Sequence, residues 1–213
     1  MPRALPPSLR RLAPWLLLLA AVLSLSRFRD PVHVLDDAWI SFRFARSWLE
    51  TGLLTFDASQ PMVEGVSNPL WTALAALWIA VGLDPVTPAR LLGALCFLAT
   101  VLVVGRAAAL LAEERGGEPT LALLVGGGLV ALDGGMAFNA MGGLESASWY
   151  LLAAWGALLV VSQVCGPPSV ARSWWLGVTC AGLCLSRPEG PLVASLLTAG
   201  FAWLSPRDRK SVV

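Results

Sequence analysis

Histidine is nearly missing from this chain, and so are the usual marks of a soluble enzyme. The single histidine, His33, has no HExxH pair or Cys/His ligand set around it, so a zinc site lacks donors. No P-loop, GxGxxG or GxSxG element occurs, which leaves nucleotide binding and serine hydrolysis without support in the sequence. Charge is scarce at 14% of residues, and 15 basic against 14 acidic side chains leave a net charge of +1, so nothing points to a nucleic-acid partner. The four cysteines, Cys96, Cys165, Cys180 and Cys184, lie in or beside apolar runs rather than in polar loops, where secreted proteins place disulfides. They read as small buried hydrophobes. Cys180 and Cys184 share a helix face, but no neighbouring His or acid completes a metal site there.

What the chain has in abundance is apolar sequence. It is 56% hydrophobic, and its mean hydropathy of +0.69 lies outside the range of soluble domains, so it reads as an integral membrane protein. Apolar runs fall at 12–26, 69–83, 90–112, 121–132, 149–164, 174–185 and 191–204. The expected fold class is all-α, a polytopic transmembrane helical bundle with an amphipathic juxtamembrane helix in its first outer loop. Three segments follow: a basic cytoplasmic N-terminus over 1–11, a membrane module over 12–204 whose outer catalytic loop is 28–69, and a basic cytoplasmic tail over 205–213. Arg3, Arg10 and Arg11 ahead of the first run resemble the charged head of a signal peptide, with Ser24 to Ser26 as a faint cleavage site. Followed by further membrane sequence, that run is expected to stay as an anchor, with its basic head in the cytoplasm and the next loop outside.

That loop is the longest polar-containing interval. From position 29 to 68 it holds six acids (Asp30, Asp36, Asp37, Glu50, Asp57, Glu64) and three arginines (Arg29, Arg43, Arg46). Residues 38–51 predict a helix with Ile40, Phe44 and Trp48 on one face, Arg43, Arg46 and Glu50 on another, and Gly52 as its stop. Asp36 or Asp37 is expected to cap it. The same adjacent pair has a second reading: mutual repulsion raises the pKa of one carboxyl and suits it to proton transfer.

Sidedness then raises a counting problem. With Arg172 and the Arg207, Arg209, Lys210 cluster inside, the patches at Glu145 and at Arg187 to Glu189 lie outside with Asp36. The path from Asn68 to Glu145 must cross an even number of times, yet it contains three apolar runs. The short run at 121–132, broken by Gly126, Gly127 and Gly128, is expected to be the one that fails to cross, as a re-entrant or interfacial segment. The polar stretch 133–148 and the segment 165–173 around Arg172 read as loops, and 84–88 as a turn.

Glu145 and Glu189 stand where a membrane protein avoids charge. An acid at mid-bilayer costs roughly 2.5 to 3.5 kcal/mol, so both are functional candidates. Arg187 either pairs locally with Glu189 or holds a phosphate, for which its guanidinium fork is well matched. Three separated polar patches on one side imply one shared site.

Five motifs in order resemble the GT-C superfamily of integral membrane glycosyltransferases: the pair Asp36-Asp37 after the first apolar run, F-R-F-A-R at 42–46, V-E-G-V-S-N-P-L-W at 63–71, G-L-E-S at 143–146 and R-P-E-G at 187–190. Within that superfamily the chain is similar to bacterial members acting on cell-wall or lipid-linked glycans, such as the mycobacterial arabinofuranosyltransferases. The resemblance implies an inverting transfer of a sugar from a polyprenyl-phosphate donor to a hydroxyl of a glycan, lipid or protein acceptor. It places the site on the outer face of the inner (plasma) membrane. Asp36 or Asp37 would be the general base, Glu145 would orient the acceptor or a divalent cation, and Arg187 would meet the donor phosphate. Arg43, Glu64, Ser67, Asn68 and Glu189 would line the substrate site. No other cofactor is implied. Relatives carry more membrane helices than the runs counted above, which implies that this chain is incomplete. The competing readings are a small transporter or flippase subunit, with the ionisable groups lining a substrate path, and an inactive truncated scaffold.

Overall fold

The protein was analysed as a computed structural model describing residues 6–30, 34–56 and 65–204. Those residues form nine helices and no strand: α1 (Pro7–Ser26), α2 (Asp36–Thr51), α3 (Pro69–Ala80), α4 (Val86–Glu114), α5 (Pro119–Ala131), α6 (Gly134–Met141), α7 (Ser146–Val164), α8 (Val170–Ser186) and α9 (Gly190–Leu204). Helices α1, α4 and α7 are long and apolar enough to cross a membrane, and α5 with α6, bent by 56° at their break, makes a fourth if the pair is one span. Large apolar side chains such as Trp15, Leu91, Leu129 and Trp203 are exposed, as expected where the outer solvent is lipid.

The expected helix at 38–51 is present but starts two residues early. Leu35 is its N-cap and offers no side-chain cap, so neither aspartate caps it; Asp36 and Asp37 occupy the first turn instead, where a carboxylate still meets the positive end of the dipole. Gly52, at φ 75°, ends it in the left-handed conformation with its N–H on the Trp48 carbonyl. The buried face also differs from the expected one. Phe44 is buried, but Ile40 and Trp48 are exposed, and the packing stripe is Ala38, Phe42 and Ala45 against Trp71, Ala75, Ala76 and Ala89. Small residues at helical spacing let α2 approach protein closely, which its bulkier aromatics could not.

This packing bears on the counting problem at α3 as well as at the glycine-rich run, whose bent continuation into α6 fits a broken span or a re-entrant segment. The N-terminal half of α2 meets Asn68 at the start of α3, and its C-terminal half shares a hollow with Asp84 and Pro85 just past α3's end. Helix α3 therefore runs beside α2, whose charged residues recur along its length, and both lie at one end of the bundle. Helix α4 starts at that end, where Arg90 donates to the carbonyls of Phe28 and Asp30. From the turn at Gly116, α5 returns along α4: Gly105 faces Leu123 and Gly127, and farther on Gly93 faces Ala140 of α6. The α5–α6 pair thus packs along α4 from Gly105 to Gly93. Gly126 and Gly127 serve close approach to α4 and α1, because a Cβ at either would strike Ala108 or Leu17.

Other boundaries shift as well. The polar stretch 133–148 contains α6, started by the Asp133 carboxylate accepting from the Met136 N–H. Val86 and Pro88 belong to the first turn of α4, and Arg172 lies in α8. Of the free cysteines Cys96 is buried, but Cys184 is exposed on the outer surface of α8.

At Gly93 the backbones of α4 and α6 come so close that a Cβ would run into the Ala140 carbonyl. Gly93→Val is expected to cost about 1–3 kcal/mol through forced separation of the helices. Gly177→Ala is the control, since nothing lies near its added methyl, and removing a mid-helix glycine is expected to stabilise slightly. Thermal unfolding of the detergent-purified protein should show opposite shifts for the two variants.

Candidate active site

Four segments distant in the chain meet at the α2–α3 end of the bundle, and Asn68 ties them together. Its Nδ2 donates to Ser41 Oγ of α2 at 3.0 Å and to Glu145 Oε2 at 3.0 Å. Its Oδ1 accepts from Thr72 Oγ1, one turn into α3, at 3.1 Å. The following tryptophan is part of the same joint: Trp71, 1% exposed, donates its indole N–H to the Gly143 carbonyl at 3.2 Å. Leu35 N–H reaches the Gly142 carbonyl at 3.1 Å, so the entry to α2 is fixed to the same α6–α7 link. Gly143, at φ 81°, turns that link sharply and delivers Glu145 to the start of α7.

Glu145 is 6% exposed, and both of its oxygens are engaged. Arg187 Nε lies 3.1 Å from Oε1, opposite Asn68 on Oε2. A carboxylate out of water needs this, because an isolated buried charge is far more costly than a paired, hydrogen-bonded one. Arg187 therefore pairs with Glu145 across the bundle and not with Glu189 beside it. The α8–α9 turn makes this reach possible: Gly190 follows directly, and a Cβ there would collide with the Leu183 carbonyl. Only Nε of Arg187 is used; its two terminal nitrogens make no hydrogen bond among the described residues.

These groups border a pocket of about 290 Å³ lined by Asp37, Ser41, Ser67, Asn68, Glu145 and Arg187, with Ile40, Phe44, Gly65 and Leu144 as its apolar walls. Asp37 is exposed, with a carboxylate free of partners among the described residues. The sequence-predicted residues divide accordingly. Asp37, Ser67, Asn68, Glu145 and Arg187 come together. Asp36 is exposed and does not line the pocket, and Glu189 is exposed and outside it as well. Glu64 and His33 lie outside the described residues. Arg43 turns to the other side of α2, where its Nε donates to the Phe56 carbonyl at 2.9 Å and its guanidinium sits 4.8 Å from the Phe56 ring centre. It lines a different hollow with Trp39, Arg46, Glu50 and Asp84.

Sequence reasoning missed Ser41, Thr72 and Trp71. Ser41 sits one helical turn after Asp37 on the same face of α2, which was a readable signal; the role of Trp71 was not, since its N-P-L-W setting reads as the start of a membrane run. Among the described residues no group of three His, Cys, Asp or Glu side chains could hold a metal ion. The cation beside Glu145 is the Arg187 guanidinium.

Comparison with protein-family models, with curated proteins and with solved structures finds no match to this chain.

Proposed function

We propose that this chain is a polytopic membrane glycosyltransferase of the GT-C type, moving a sugar from a polyprenyl-phosphate donor to an acceptor hydroxyl at the pocket between α2, α3, α7 and α8. The observation that carries this reading is the convergence on one pocket of a carboxylate, Asp37, and an arginine, Arg187, whose terminal N–H groups, like that carboxylate, have no partner among the described residues. Its volume sits at the small end of ligand sites, which run from about 300 to 1,000 Å³.

The chemistry uses the two ends of this constellation for opposite tasks. The acceptor oxygen attacks the anomeric carbon as the bond from that carbon to the phosphate oxygen breaks. The electron pair of that bond leaves with the polyprenyl phosphate, whose growing charge the Arg187 terminal nitrogens stabilise. Asp37 takes the proton of the acceptor hydroxyl. With both oxygens already bonded, Glu145 orients Arg187 and Asn68. Ser67 offers its hydroxyl to the sugar.

Sidedness fits an outer site. Among the described residues the end holding α2 carries Asp30, Asp36, Asp37, Glu50, Asp84, Glu145 and Glu189 against Arg27, Arg29, Arg43, Arg46, Arg90 and Arg187, a small acidic excess, whereas the opposite end carries Arg10, Arg11, Arg106, Arg115 and Arg172 against Glu113, Glu114 and Glu118, a small basic excess. Arginine numbers among the described residues are nearly equal at the two ends, so the positive-inside rule assigns the opposite end to the cytoplasm only with the basic segments 1–11 and 205–213 expected there. If the shorter helices α8 and α9 are counted as passes beside α1, α4, α5–α6 and α7, the parity requirement is met, with two passes between Asn68 and Glu145. Clustering of the pocket's ionisable groups at helix ends, rather than along mid-span faces, favours an enzyme over a transporter.

The test is transfer by membranes containing the chain, supplied with a polyprenyl-phosphate sugar donor and a hydroxyl acceptor, with glycosylated product read by mass spectrometry. Product above that of membranes lacking the chain is the expected result; its absence with every donor sugar tried sinks the proposal. Topology has its own check. Single cysteines in a cysteine-free background at positions 37 and 189 should react with an impermeant maleimide in right-side-out vesicles, and one at position 114 only after permeabilisation.

A further inference from the structure

The basic end of the bundle has a site of its own. A hollow of about 350 Å³ opens between α4, α7 and the start of α8, lined by Arg106, Leu110, Leu158, Ser162, Cys165 and Arg172. It contains two guanidinium groups and no acid. Arg172 is held firmly: its Nη1 donates to the carbonyls of Ser162 and Pro167 and to Gln163 Oε1, at 2.8, 2.7 and 3.2 Å. Those acceptors include a carbonyl of the last turn of α7, where a cation is favoured by the dipole. Its Nε and Nη2 have no hydrogen-bond partner among the described residues, and neither has any nitrogen of Arg106.

Arg106 is the less expected of the two. It interrupts the apolar surface of α4 eight residues before Glu114, about 12 Å along the helix. A guanidinium at that depth needs to reach the interface or find a counter-ion. The acids nearest the hollow belong to the end of α4. The Glu114 carboxylate is felt at Cys165, whose thiol is pushed up by burial first and by Glu114 second, while Arg115 opposes it. Neither arginine of the hollow has an ion-pair partner among the described residues. The hollow also lies at the far end of α7 from Glu145. Nineteen residues separate the two borders, about 28 Å at 1.5 Å per residue, close to the thickness of a hydrocarbon core.

We propose that this hollow binds the phosphate of an anionic phospholipid from the leaflet opposite the Glu145 pocket, clamped between Arg106 and Arg172, with Ser162 beside it and Leu110 and Leu158 against the acyl chains. Basic pockets between membrane helices at the cytoplasmic border suit such headgroups, because leaflet charge and guanidinium geometry act together. The inference stands apart from glycosyl transfer and uses none of the residues assigned to it.

The experiment is native mass spectrometry of the full chain released from nanodiscs containing equal phosphatidylglycerol and phosphatidylcholine. Preferential retention of one phosphatidylglycerol is expected. Arg106→Gln, which removes no hydrogen bond among the described residues, should weaken it roughly fivefold, and Arg106→Gln with Arg172→Gln by roughly 25-fold, from about 1 kcal/mol per arginine. Equal retention of the two lipids, or unchanged retention in Arg106→Gln, overturns the proposal. So does displacement of the lipid by millimolar inorganic phosphate, which would assign the hollow to a free anion.

Discussion

Asp37→Asn is expected to reduce sugar transfer by about two to four orders of magnitude, the usual loss when a general base is removed. Asp36→Asn should leave transfer near the wild-type level. The two residues are adjacent and equivalent by composition, and the distinction between them comes from helix geometry alone. Successive residues on a helix point about 100° apart, so only one of them can share a face with Ser41, four positions on. Asp37 does so and lines the pocket; Asp36 points away from it. The substitution is nearly isosteric, and Asp37 has no hydrogen bond among the described residues to lose, so thermal stability should fall by no more than the roughly 0.3–1 kcal/mol of its charge at the helix N-terminus. Comparable transfer by Asp37→Asn and wild-type membranes would remove Asp37 from the mechanism, and equal loss in both variants would point to a shared cation or helix-end effect in place of a base.

Arg187→Met should show two effects with separate causes. Glu145 would keep only the Asn68 donor, and a buried acceptor that loses a charged partner costs about 1–3 kcal/mol. The lower part of that range is expected, because the Arg187 side chain is 35% exposed and water can replace part of the lost bond. Transfer should fall further than stability, since the terminal guanidinium nitrogens that would meet the departing phosphate go with the side chain. The double variant Glu145→Gln, Arg187→Met separates the two. A glutamine carbonyl can still accept from Asn68, and no uncompensated charge remains, so the melting temperature should recover with a coupling of about 0.5–3 kcal/mol. Transfer should not recover. Recovery of both would make Arg187 a structural partner of Glu145 and nothing more.

Much of the site was legible in the sequence because the chain around it is so apolar. In a chain with 14% charged residues, an acid or arginine between apolar runs carries a burial cost that ordinary surface charges do not. Glu145 and Arg187 stand out for that reason, and sidedness alone groups them with Asp37 and Asn68. Arg43 and Glu189 stand out equally and yet lie outside the pocket, since sequence spacing says which side of the membrane a residue occupies but not which way it points around its helix. The counting problem has a similar origin. Hydropathy sees α3 and α5 as two short apolar runs, and the glycines of α5 look like a break until α4 and α1 are found packed against them.

The sequence by itself determined an all-helical chain with helices apolar enough to cross a membrane, and its helix segments, α6 apart, to within a few residues. Those properties follow from local hydropathy and from the need to satisfy backbone groups within each segment. Tertiary structure alone decided that Arg187 turns to Glu145, that Asn68 joins α2, α3 and α7, that Asp37 and not Asp36 faces the pocket, and that α3 lies beside α2 while α5 and α6 together pack along α4. Each depends on which helix faces meet, and that is set by close packing of small residues and by hydrogen bonding of buried polar groups between segments as many as 77 positions apart.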